Sequence, residues 1–269
     1  MTYLKKLWKT YKYRFTPWIA FNFSNKAKRS IKSTTITRDE FTNNLLKLLE
    51  QFKSPPYEIV FKDTKDRIIK FKNLHLYNQK ILFKVCGFQL ELRPSTIPIA
   101  GRGVFVKAGK IKKGQIACLY PGLIYQPHHP ILLASIRNAY IFRCCDGIMI
   151  DGKSRGLSAF LYKSVHGRER VNGYEPICDV SWLHEDYHYH VNPLNIGQIV
   201  NNQNSSTKPN VIYEELDIHS EKFASKLSLL PNISYDTQFN STLKLVPLVA
   251  LRDINTNEEL FSSYFTIVE

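Results

Sequence analysis

The sequence predicts an α+β protein, mainly β, with a small helical region ahead of the strands. Three observations carry this. From about residue 87 the chain breaks into many short apolar or alternating runs with turn residues at close spacing, the pattern of an all-β architecture with irregular connections and not of βαβ units. One strongly amphipathic helix precedes it, over about residues 37–52. Near the C-terminus, Val246 to Leu251 is a continuous apolar run bounded by turn residues, as in a strand buried on both faces.

Residues 1–38 form a basic aromatic arm. They hold ten Lys or Arg and no acid, with Leu4, Leu7, Trp8, Tyr11 and Phe15 interleaved among the bases. Three readings stand for this arm: an acid-poor amphipathic transit peptide, a surface arm for anionic lipid or nucleic acid, or an arm whose aromatics pack on the body. The net charge of +14 is concentrated here. The remainder, residues 39–269, has 27 bases against 23 acids, so the body is nearly balanced.

Residues 39–90 read as the small helical region. Thr37-Arg-Asp-Glu40 has capping-box spacing. Phe41, Leu45, Leu48, Leu49 and Phe52 follow at i, i+4, i+7, i+8 and i+11, and Pro55-Pro56 stops the helix. A second segment, over about residues 64–85, is helical or extended.

The strands then come in order. Phe88-Gln-Leu-Glu-Leu alternates with period two, and Gly101-Arg-Gly103 leads into Val-Phe-Val. After a turn at Lys112 to Gly114, Ile116 to Tyr125 carries Tyr120-Pro-Gly122, and short strands follow at Tyr140 to Arg143 and Gly147 to Asp151. Residues 157–195 read as irregular and polar, an insertion whose His184 to His190 stretch is taken as a solvated loop and not as a metal site. Asn201-Asn202 opens an amide-rich turn reaching Pro209-Asn210, and Val211 to Glu214 resumes a strand. About 219–240 is a second insertion, with a helix ending near Leu230-Pro231. The closing run ends on a short strand with Tyr264 and Phe265.

The totals exclude several classes. No apolar run approaches the roughly 18 residues that a membrane helix needs. The five cysteines are odd in number and lack a C-x-x-C pair, which argues against a disulfide framework and a structural zinc site, and for a reducing compartment. No paired-carboxylate or Ser-His arrangement is evident.

Taken singly, the glycines at 101 and 103 read as turns and Tyr264 as a core tyrosine. Their order carries more: Gly101-Arg-Gly103-Val-Phe, Tyr120-Pro-Gly122, Asn201-Asn202 with Pro209-Asn210, then Ala250-Leu-Arg-Asp-Ile and Glu258-Glu-Leu-Phe-Ser-Ser-Tyr264. That series, over about residues 91–267, resembles the SET-domain protein methyltransferases. The resemblance implies a fold of small curved β-sheets with a C-terminal segment threaded through a loop of earlier chain, here residues 91–269.

It also implies S-adenosylmethionine as cofactor and a lysine side chain of a protein as acceptor. By the same resemblance Gly101, Arg102 and Gly103 line the methionine part of the cofactor, Asn201 and Asn202 bind it, and Tyr264 is the active-site tyrosine beside the transferred methyl. Tyr120 resembles the family's structural Tyr-x-Gly, and Tyr140 or Phe142 lines the lysine channel. No metal is implied. The chain differs from the family at Asn202 (usually His), Asn204 (usually Cys), Ser262 and Ser263, and lacks the flanking cysteine clusters of many histone-directed members.

The expected function is therefore a protein-lysine N-methyltransferase acting on a non-histone substrate, as an intracellular monomer of nucleus or cytosol, with the mitochondrion as the alternative because of the arm. Two other readings stay open: a SET-fold binding module with little or no turnover, and a nucleic-acid binder working through residues 1–38.

Overall fold

The computed structural model describes residues 38–56, 65–168, 178–184, 189–204, 206–236 and 242–263. Residues 1–37, which hold all of the arm but Arg38 and include Thr37 of the expected capping box, lie outside the described residues, as do His188 and Tyr264.

Helix α1 (Arg38–Gln51) presents the stripe read from the sequence: Phe41, Leu45, Leu48, Leu49 and, just past its end, Phe52 are all buried. The second segment is fully helical, α2 (Lys65–Cys86), and buries Phe71, Asn78, Gln79 and Leu82. Its two buried amides act as rivets. Asn78 donates through Nδ2 to the carbonyls of Lys53 (3.1 Å) and Val191 (2.7 Å) and accepts from the Lys53 N–H (2.9 Å). Gln79 Nε2 donates to the Leu90 carbonyl at 2.8 Å. Such groups are costly to bury unless satisfied, so they fix where the helix docks.

Among the described residues the strands form five small sheets. β1 (Phe88–Pro94) and β2 (Arg102–Gly109) pair antiparallel. β3 (Ile116–Leu119) and β4 (Gly122–Tyr125) follow, then a short helix α3 (Leu132–Ser135) and the antiparallel pair β5 (Ile141–Arg143) and β6 (Met149–Asp151). Helix α4 (Gly156–Arg168) comes next, with Ala159, Tyr162 and Val165 buried. The remaining strands are β7 (Asn201–Asn202), β8 (Val211–Tyr213), β9 (Leu216–His219), β10 (Asn232–Ser234), β11 (Thr242–Leu245), β12 (Pro247–Ala250) and β13 (Phe261–Ser262).

The sheet orders are β10-β4-β6-β5, β3-β12-β8, β11-β9, β1-β2 and β13-β7. β12 is central in its sheet and buried at all four positions, as its unbroken apolar run predicts. The fold is thus mixed α and β with small sheets. A lysine on β11 fastens two of them: Lys244 Nζ, nearly buried, meets Asp146 Oδ2 at 2.6 Å in the β5–β6 turn and Asp217 Oδ1 at 2.7 Å on β9.

Three expectations are corrected. Residues 157–195 are not irregular throughout, because 156–168 is helix α4 and Ser181–Leu183 a turn of 3₁₀ helix. The apolar positions of α4 are interrupted by Ser and Lys, so its helical period is weak in the sequence, although Tyr162 Oη lies within hydrogen-bond distance of the carbonyls of Asp179 (3.0 Å) and Pro231 (2.9 Å), to one of which it donates. The histidine stretch is not a solvated loop at its end either: His190 is buried, and its carbonyl lies 2.9 Å from His75 Nδ1 on α2. The expected helix before Pro231 is a 3₁₀ segment, Ser220–Leu229.

Candidate active site

Strand β13 is the organising element. It runs parallel to β7, with Phe261 opposite Asn201 and Ser262 opposite Asn202. Three upstream segments hold it. Leu260 N–H donates to the Val104 carbonyl on β2 at 2.8 Å, and Gln203 N–H to the Ser262 carbonyl at 2.8 Å. The third is Asn210, buried at the end of the amide-rich turn. Its N–H donates to the Phe261 carbonyl (2.9 Å), its Oδ1 accepts from the Phe261 N–H (2.8 Å), and its Nδ2 donates to the Glu259 carbonyl (2.8 Å). The two-residue strand is thereby fixed by a side chain that mimics a neighbouring backbone.

Glu259, immediately before this strand, is buried and fully engaged. Its Oε1 accepts from Ser95 Oγ (2.7 Å) and Asn201 Nδ2 (3.1 Å), and its Oε2 from Thr96 N–H (2.8 Å) and Thr96 Oγ1 (2.6 Å). Asn201 Nδ2 also donates to the Arg102 carbonyl at 3.0 Å. One carboxylate therefore joins the 95–101 loop, β7 and the chain entering β13.

The glycines divide by role. A Cβ at position 103 would collide with the Glu259 carboxylate, so Gly103 makes room for that side chain. Gly101 has φ +77° and open space where a Cβ would stand. The left-handed backbone favours glycine there, and the space beside it is free for a ligand. Two residues earlier Ile99, fully exposed, also has a left-handed φ of 69°, a strained value for a β-branched side chain.

Beside β13 lies an aromatic cluster. Tyr120, Phe142 and Tyr213 have ring centroids 5.5, 6.1 and 4.9 Å apart for the pairs 120–142, 120–213 and 142–213. Tyr120 Oη donates to the Tyr140 carbonyl at 2.7 Å, and Tyr213 Oη lies 3.1 Å from Ser262 Oγ. Of the two channel residues expected from the sequence, Phe142 joins the cluster with its ring. Tyr140 enters by its backbone, while its own ring is partly exposed.

The structure thus brings Gly101, Arg102, Gly103, Asn201 and Asn202 together around β13, the strand that ends two residues before Tyr264. It adds Tyr213, Asn210 and Glu259, which the sequence reading did not assign to the site. Asn210 and Glu259 lay inside the motifs already noted. Tyr213 gave only a strand signal. Ser262, read as a departure from the family, is buried and contacts the Tyr213 hydroxyl.

Among the described residues two groups have metal-ligand spacing, His128–His129–Asp236 and Cys144–Asp146–Glu215. In the first, His129 Nδ1 accepts the Gln126 N–H at 2.9 Å, so the hydrogen of the neutral ring sits on Nε2, the atom 3.8 Å from Asp236. In the second, the Lys244 ammonium already occupies Asp146.

No family profile matches the sequence. The chain is 36% identical over 290 residues to SET domain-containing protein 9 of Homo sapiens, covering 97% of this chain and 96% of that one. It is 44% identical over 190 residues to the protein of the same name from Pongo abelii, covering 71% and 68%. Among solved structures, ctPRC2 in an autoinhibited conformation bound to S-adenosylmethionine overlaps at TM-score 0.36 and 15% identity, over 69% of this chain and only 16% of that one. A putative histone methyltransferase of Plasmodium falciparum overlaps at TM-score 0.31 and 14% identity, over 65% and 94%. Overlaps this loose decide nothing about chemistry. The two sequence relatives do decide the family, because they are 36% and 44% identical over 97% and 71% of this chain: the chain belongs to the SET domain-containing protein 9 family of SET-domain proteins.

Proposed function

We propose that the protein is an S-adenosylmethionine-dependent protein-lysine N-methyltransferase acting on a non-histone protein. The observation that carries this reading is the neutral aromatic cluster Tyr120–Phe142–Tyr213 closing on Ser262, at the strand that leads into Tyr264. A lysine stem fits apolar ring faces, and a narrow aromatic channel excludes water from its end.

The cofactor reading has support in the open, left-handed backbone at Gly101 and the uncharged amides nearby. The backbone of Gly101 to Gly103 with Asn201 and Asn202 would hold S-adenosylmethionine, which when bound supplies an electrophilic methyl group on a sulfonium. The protein's own residues then do three things. The aromatic cluster orients the amine for in-line approach. Desolvation there favours the neutral amine over an ammonium whose ordinary pKa is about 10.4. The Tyr264 hydroxyl is assigned to alignment of the reacting groups as an oriented dipole.

Non-histone specificity draws on the absence of flanking cysteine clusters in the sequence. In this proposal the protein acts as a monomer in the nucleus or cytosol, or in the mitochondrion if residues 1–38 direct import, which a reporter fused to those residues tests.

Labelling of a peptide array and of whole-cell protein with tritiated S-adenosylmethionine tests the activity, with Tyr264→Phe as control. Label lost in that variant supports the assignment, and label insensitive to it sinks the site. Selective labelling of core histones would overturn the substrate class. A second reading, a SET-fold binding module, is favoured by Asn201, whose amide is spent on Arg102 and Glu259, and by Asn202 in place of histidine. Calorimetric binding of S-adenosylmethionine without any labelling would support it.

A further inference from the structure

Helix α2 carries a second apolar row beside its buried face. Ile69, Leu76 and Phe83 are 55%, 45% and 45% exposed and stand seven residues apart. Seven residues return a helix to within about 20° of the same direction, so the three point to one side along roughly 20 Å. Exposed Lys65, Lys80 and Lys84 lie about 20°, 40° and 80° from the middle of that row by the same helical geometry. The helix as a whole has six Lys or Arg and one acid, Asp66.

A straight apolar row with basic flanks suits a flat, negatively charged surface with an apolar interior. Nucleic acid would satisfy the lysines but leave the row in water. A second copy would bring lysines against lysines. A lipid headgroup layer takes both parts, with the apolar side chains entering and the long lysine stems reaching back to phosphate. No described helix is long and apolar enough to cross a membrane, so the contact is peripheral. We propose that the face of α2 formed by Ile69, Leu76 and Phe83 with Lys65, Lys80 and Lys84 docks the protein on an anionic phospholipid membrane surface.

Flotation of the full chain with vesicles of phosphatidylcholine alone, or mixed with phosphatidylserine, tests this. The wild type binds the mixed vesicles, and salt weakens the binding. Lys65→Gln/Lys80→Gln/Lys84→Gln lowers partition roughly a hundredfold, at about fivefold per lysine near an anionic surface. Ile69→Gln/Leu76→Gln/Phe83→Gln lowers it at least tenfold, while melting temperatures stay close to wild type because the positions are exposed. The basic arm is the same in every variant, so unchanged vesicle binding by both triples overturns the proposal. So does binding to duplex DNA or single-stranded RNA that the lysine triple loses and the apolar triple keeps, if vesicle binding is absent. A shift in self-association without loss of vesicle binding in the apolar triple also overturns it.

Discussion

The hydroxyls of Tyr213 and Ser262 lie 3.1 Å apart, and this contact ties the aromatic cluster to the strand preceding Tyr264. Tyr213→Phe and Ser262→Ala are each expected to cost about 1 kcal/mol, and the double variant less than their sum, since both remove the same bond. Urea denaturation of the four proteins measures the coupling. Simple additivity would mean that the bond contributes nothing.

Gly103 and Gly101 should respond differently to alanine. Gly103→Ala forces the Glu259 carboxylate away from its four donors, at an expected cost of about 2–4 kcal/mol. Gly101→Ala meets open space and bears only the left-handed backbone, about 1–2 kcal/mol. The ranking is read from thermal melts, and the reverse order would contradict the packing described. S-adenosylmethionine affinity, read by calorimetry, should fall in both.

Asn210→Ala strands the Phe261 N–H and the Glu259 carbonyl in a buried place. The expected loss is about 2–4 kcal/mol, from two buried groups left unpaired. Hydrogen exchange at the Phe261 amide should accelerate accordingly. Protection equal to wild type would show that β13 is held without Asn210.

Asp151 on β6 gives a prediction in pH. Burial raises its pKa above the ordinary carboxylate value, against hydrogen bonds from Ser158, from Asn138 (2.7 Å) and from the Lys153 N–H (3.1 Å). With the native pKa above the unfolded one, the native state holds the proton more tightly. Its stabilising contribution is complete below about pH 3.9 and is lost as pH climbs through the native pKa. Asp151→Asn keeps the Oδ1 acceptor and removes the buried charge. Its melting temperature should exceed wild type at about pH 7, with the gap closing toward about pH 4. A gap independent of pH would place the effect elsewhere.

Much of the fold was legible locally. The α1 stripe from Phe41 to Phe52 is the buried face, because a 3.6-residue period projects those side chains to one side whatever they later touch. The β12 run is buried at every position, because only a strand covered on both faces tolerates unbroken apolar sequence. Helix α4 was missed, since Ser and Lys break its period and it is held largely by tertiary contacts such as those of Tyr162. His190 was misread for a related reason: a polar stretch gives no local sign of which member turns inward.

For the candidate site, the order of motifs in the sequence singled out the segments from Gly101 to Ser262 that meet around β13. The sequence by itself also showed that the stretch from Asn201 to Asn210 is rich in amides and that the charge excess is held in the arm. Only the tertiary structure decided what each residue does there. Gly103 yields space to Glu259, Asn210 clamps β13, and Tyr213 reaches a serine 49 residues away. The physical reason is that periodicity and turn chemistry act within a few residues. Hydrogen-bond partners across 49 or 164 positions, such as Tyr213 with Ser262 and Ser95 with Glu259, are chosen by which strands pair and in which register.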